Sequence, residues 1–70
     1  MTEVRTEMVG NVWKILVNVG DSVGSDESIV ILESMKMEMP ISAGISGRVV
    51  EIRVTEGETV LEGDVLALVE

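Results

Sequence analysis

The chain repeats itself. Laid on itself with an offset of 37 residues and no gap, Gly10 falls on Gly47, Val12 on Val49, Ile15 on Ile52 and Val17 on Val54. Gly20 falls on Gly57, Val23 on Val60 and Glu33 on Glu70, while Ile29/Leu66, Ile31/Leu68, Asp21/Glu58 and Ser22/Thr59 are near matches. Two halves, 1–33 and 38–70, should therefore share one local structure and pack about an approximate two-fold axis. Only the linker 34–37, Ser34-Met35-Lys36-Met37, has no counterpart.

Each half reads as short strands between turn signals, with no helical period. Val12 to Val17 alternates, with Trp13, Ile15 and Val17 on one side and Val12, Lys14 and Leu16 on the other. The repeat offers a way to decide which side is core. Its partner segment sets Val50, Ile52 and Val54 against Val49, Glu51 and Arg53. The side with Glu51 and Arg53 belongs in water, so Trp13, Ile15 and Val17 are expected inside. Gly20-Asp21, Gly57-Glu58 and Gly63-Asp64 mark turns where glycine supplies a positive φ. The counterpart of Gly63-Asp64 is Asp26-Glu27, where Asp26 is expected to take left-handed geometry with some strain. Pro40 cannot donate to a ladder, which places Met39–Ser42 at a sheet edge or strand start. With Glu3–Glu7, Val23, Ile29–Leu32, Val60 and Val65–Val69 the count is eight strands. The expected fold is all-β, a flattened sandwich of two four-stranded antiparallel sheets. Residues 1–70 form one small domain.

Composition narrows what such a domain can do. Cys and His are absent, which removes disulfides, thiolate zinc sites, thiol nucleophiles and the usual base near neutral pH. Neither a catalytic residue nor a metal site is expected. No apolar run is long enough for a membrane span, and Met1–Arg5 does not read as a signal peptide. A cytoplasmic location is the expectation. The net charge of −8 disfavours a nucleic acid or an anionic membrane as partner.

Lys36 then stands out. Glu33–Glu38 reads as the hairpin that joins the halves, with Lys36 at its tip. Met35 and Met37 flank it, where polar residues or glycine are usual. Methionine is soft and adaptable, and suits a surface gripped by another protein. In a second reading, the two methionines fold back over the end of the core. Lysine amines are about one in a thousand neutral at pH 7, and nothing here desolvates Lys36 or sets a cation beside it. A Schiff-base enzyme is therefore a poor fit. Any acylation of Lys36 requires a separate enzyme.

The stretch Glu33-Ser34-Met35-Lys36-Met37-Glu38-Met39-Pro40 resembles the attachment motif of the biotinyl/lipoyl domain family in its biotin version. The likeness extends through the Gly-Asp turns, Gly47 and Glu62-Gly63-Asp64-Val65-Leu66 to nearly the whole chain. It is greatest to the small stand-alone biotin/lipoyl attachment proteins of Bacillus-type bacteria. No inserted thumb separates Val17 from Val23, unlike many acetyl-CoA carboxylase carriers. The family fold is a barrel-sandwich with duplicated halves. The resemblance implies that a biotin protein ligase biotinylates Lys36 and reads Met35 and Met37. It further implies a biotin carboxyl carrier whose arm moves carboxylate from a biotin carboxylase to a carboxyltransferase. Such a chain is a carrier and not itself an enzyme. The alternative is a lipoyl carrier, or a dual acceptor, although the lipoyl motif typically has Asp before the lysine and Ala after it. An unmodified binding module is a third reading.

Overall fold

Short runs of Val, Ile and Leu between turns bury one face by pairing side by side and stacking sheet on sheet. A computed structural model describes all of residues 1–70 in these terms. Eight strands and no helix make up the chain: β1 (Thr2–Arg5), β2 (Gly10–Ile15), β3 (Ser22–Val23), β4 (Ser28–Ser34), β5 (Met37–Ser42), β6 (Gly47–Ile52), β7 (Thr59–Val60) and β8 (Val65–Val69). All pairings are antiparallel. One sheet has the order β1-β8-β6-β3 and the other β5-β4-β2-β7. Exchanging each strand of the first order for its counterpart 37 residues away, forward for β1 and β3 and back for β8 and β6, generates the second, so the sequence repeat is also a repeat of topology. β5, which contains Pro40, is an edge strand as expected.

The core lies between the sheets. Val12, Ile29, Val30 and Leu32 from one sheet meet Val49, Leu66, Ala67 and Val69 from the other, each at most 1% exposed. The two halves thus contribute matched side chains to a single aliphatic core.

The expected inward face of β2 needs correction. Val12 is buried, whereas Trp13 is 42% exposed. Pairing of β2 with β4 shifts register between Val12 and Lys14, so Trp13 sits in a β-bulge that resets the alternation. Beyond the bulge the expectation holds: Val17 is buried and Ile15 packs against the core. The second half does the same. A register shift between Val49 and Glu51 leaves Val49 fully buried and Val50 only partly so. The exposed indole lies near Lys14, whose Nζ is 5.7 Å from the ring centroid.

Four turns share one construction. In each, a backbone N–H donates to the carbonyl three residues back: Asp21 to Asn18, Glu27 to Gly24, Glu58 to Thr55 and Asp64 to Leu61. The same acidic side chain then accepts from the backbone N–H of that earlier residue, at 2.8–3.1 Å. Gly20, Gly57 and Gly63 adopt φ of 98°, 94° and 91°. Asp26 has no positive φ. Its turn closes without the left-handed residue that its counterpart uses, so the expected strain is absent.

Candidate functional site

β4 and β5 form the longest ladder, and it runs to the hairpin tip. Leu32 pairs with Met39, Glu33 with Glu38 and Ser34 with Met37. Only Met35 and Lys36 remain for the turn, which is tighter than the six-residue connection read from sequence. Both have positive φ, 53° and 64°, and they are the only non-glycine residues that do. A two-residue turn with positive φ at both positions matches the right-handed twist of the flanking strands, and usually contains Asn-Gly or Gly-Gly. Side-chain-bearing residues in this conformation cost about 1–2 kcal/mol each. The six-residue ladder beneath holds them there.

The apex projects into solvent. Met35 is 91% exposed and Met37 62%, so neither covers the end of the core. Lys36 is exposed and takes part in neither ion pair of the molecule, Arg5–Glu3 and Arg53–Glu51. None of the side-chain hydrogen bonds involves it. Glu33 and Glu38 face each other across the ladder just below.

The base of the hairpin is held by close backbone approach. A Cβ on Gly10 would lie 2.9 Å from the Glu33 carbonyl oxygen, so glycine allows β2 to press against the end of β4. Gly47 takes the same position in the other half, where a Cβ would fall on the Glu70 carbonyl oxygen. The tip and the termini are thus equivalent ends of the fold. β2 starts opposite Glu33, and the loop that follows it reaches Val49, which pairs with Val69 beside the termini. Lys36 and the chain ends therefore lie at opposite ends of a molecule 31 Å long and 17 Å across.

Sequence reasoning missed two residues near the tip. Met39 lies on the same face as Leu32, is 41% exposed, and with the half-buried Met8 helps to line an open groove beside β5. Met8 is far from the hairpin in sequence, and no motif pointed to it. No group of three or more His, Cys, Asp or Glu gathers as a metal site, and no helix is long and apolar enough to cross a membrane.

Two stacked sheets with duplicated topology, displaying one lysine on a taut hairpin, define a domain built to present a side chain. Residues 2–69 match the biotin/lipoyl family described as "Biotin-requiring enzyme". The chain belongs to that family. It is 51% identical over 63 residues to the biotin/lipoyl attachment protein of Bacillus subtilis, covering 90% of this chain and 86% of the relative. It is also 51% identical over 57 residues to a biotin carboxyl carrier protein of Streptococcus mutans, covering 81% of this chain and 44% of that protein. The Kluyveromyces lactis urea carboxylase contains a region that superposes with a TM-score of 0.93 at 35% identity, spanning 99% of this chain and 6% of the larger one.

Proposed function

We propose that residues 1–70 act as one biotin carboxyl carrier domain, with Lys36 as the attachment residue and Met35 and Met37 as the residues a biotin protein ligase reads. The observation behind this is the apex itself: an exposed primary amine, without an internal partner, held by a two-residue turn between two exposed methionines. Such an amine fits an amide link to the biotin carboxyl group. The chain has no His or Cys to activate it, so the ligase supplies an activated acyl group and the base. Nζ attacks that group, loses a proton to the base, and the activating group departs. When bound, biotin supplies the ureido nitrogen that accepts a carboxyl group. The protein's own work is to keep the lysine on a rigid base and in solvent. Tethering then replaces free diffusion between partner sites by local search, at effective concentrations of order mM for short flexible linkers.

The partners on this reading are a biotin carboxylase, a carboxyltransferase and the ligase. The domain is a substrate of the ligase and a carrier for the other two, and it has no chemistry of its own. The biotin reading is favoured over lipoate by the named relatives and by Met, not Asp and Ala, beside Lys36.

Intact mass of the chain after incubation with biotin protein ligase, biotin and ATP tests this. A single biotinyl increment is expected, localised to Lys36 by peptide mapping and lost in Lys36→Arg. A label that survives Lys36→Arg overturns the site. A lipoyl increment in the protein from its own host assigns it to the lipoyl class.

A further inference from the structure

Methionines gather at one end of this molecule. Of five, Met8, Met35, Met37 and Met39 belong to the hairpin end and only Met1 to the other. The repeat makes the bias informative. The counterparts of Met8 and Met39 in the other half are Ile45 and Thr2, so the fold itself requires methionine at neither place.

Met8 and Met39 lie together in an open groove of about 440 Å³ between the β1–β2 connection and edge strand β5. Pro40 and Ile41 continue the wall, and Arg5, Glu7 and Ser42 complete it. No surface depression contains Thr2 or Ile45 at the equivalent position. The groove begins close to the lysine. Met39 is three residues along β5 from Lys36, about 10 Å at strand rise. Met37 and Met39 lie on the same side of β5, so thioethers line the path from apex to groove. The lining is mixed: Met8, Met39, Pro40 and Ile41 are apolar, whereas Glu7 offers an acceptor for N–H donors and is in no ion pair.

We infer that this groove is the resting site of the acyl arm on Lys36. The occupant is the biotinyl group, with its alkyl chain and thioether ring along Met37, Met39 and Met8 and its ureido N–H groups toward Glu7. This rests on the carrier reading above. Weak affinity is enough. An arm tethered at order-mM effective concentration half-occupies a site whose dissociation constant is itself of order mM, and leaves it quickly. Resting there removes the apolar arm from water without trapping it. Methionine suits this, because it adapts to an occupant that comes and goes.

The test compares the free and biotinylated chain by NMR, with uniform 15N and methionine-methyl 13C labels, after mass spectrometry has confirmed a single biotinyl group on Lys36. Occupancy is expected to shift the Met8 and Met39 methyl signals and the amides of Arg5, Glu7 and Ile41, and to give cross-relaxation between ring protons and the Met39 methyl. Shifts confined to residues 34–38 overturn the proposal. The double variant Met8→Ile with Met39→Thr copies the other half of the molecule. Biotinylated at the same lysine, it should lose the distant shifts and keep those at the tip. Distant shifts unchanged in that variant overturn the groove as their seat. A chain that mass spectrometry shows unmodified overturns the carrier reading as well, whereas a modified chain with local shifts overturns the resting site alone.

Discussion

Met35 and Lys36 hold backbone angles that residues with side chains avoid, at the position where the fold offers its one unengaged lysine apex. A turn chosen for stability alone would contain Asn or Gly there. Met35→Asn tests the consequence, because Asn tolerates the left-handed region and adds no glycine-like freedom to the unfolded chain. It should stabilise the domain by about 1 kcal/mol, which in a chain of this size raises Tm by roughly 4–8 °C. Thermal unfolding followed by circular dichroism reads this directly. If the ligase reads the Met35 side chain, the same variant should be biotinylated more slowly in spite of its higher Tm. A variant that is more stable and equally well biotinylated would show that Met35 is neutral to the ligase. Lys36 was legible from sequence as the proposed attachment residue, because it falls in the one segment that the repeat leaves out. The tightness of its turn was not, since neither Met nor Lys signals positive φ.

At the level of elements, the bulges explain where alternation misleads. Val12 and Val49 are core residues, and Trp13 and Val50 occupy the extra positions. The repeat could not expose the error, because both halves contain the same irregularity at the same place. Comparison of the halves therefore fixed Ile15 with Ile52 and Val17 with Val54, and misassigned the residues before the bulge. Val12→Ala should cost about 2 kcal/mol from lost burial and the void left behind. Trp13→Ala removes a far larger side chain yet should cost less, since the ring is 42% exposed and lies outside the buried core. Urea denaturation of both variants checks the order. A larger loss for Trp13→Ala would mean that the indole is a core anchor. The two glycines that clear space for Glu33 and Glu70 allow a similar comparison. Gly47→Ala should lower the urea midpoint more than Gly10→Ala, because its Cβ meets the neighbouring carbonyl more closely. The tip-side change should also perturb the amide signals of residues 33–38.

The whole molecule has a duplicated interior and an unsymmetrical surface. On the outer face of one sheet, Glu3 and Glu51 pair with Leu68 and form ion pairs with Arg5 and Arg53. The equivalent positions on the hairpin sheet are Pro40, Lys14 and Ile31, with no ion pair. The duplication thus sets the scaffold, while the differences between the halves set the hairpin end, proposed above to carry the arm, apart from the other. Charge is distributed with the same economy. Thirteen acidic residues face five basic ones, for a net charge of −8. Four of the acids, Asp21, Glu27, Glu58 and Asp64, close turns, and two ion pairs use only Glu3 and Glu51. The other seven form no ion pair, and Glu33 stands directly opposite Glu38. Self-repulsion on this scale works against the compact state. Screening should therefore stabilise the domain. Raising NaCl from 0.01 to 1 M shortens the Debye length from about 30 Å to about 3 Å, and Tm should rise steadily across that range. Chloride is the better choice for the test, because sulfate strengthens apolar burial by itself. The Arg5 and Arg53 pairs are exposed and contribute little, so their loss at high salt should not reverse the trend. A fall in Tm with salt would mean that attractive pairs, and not repulsion between carboxylates, dominate the surface of this carrier.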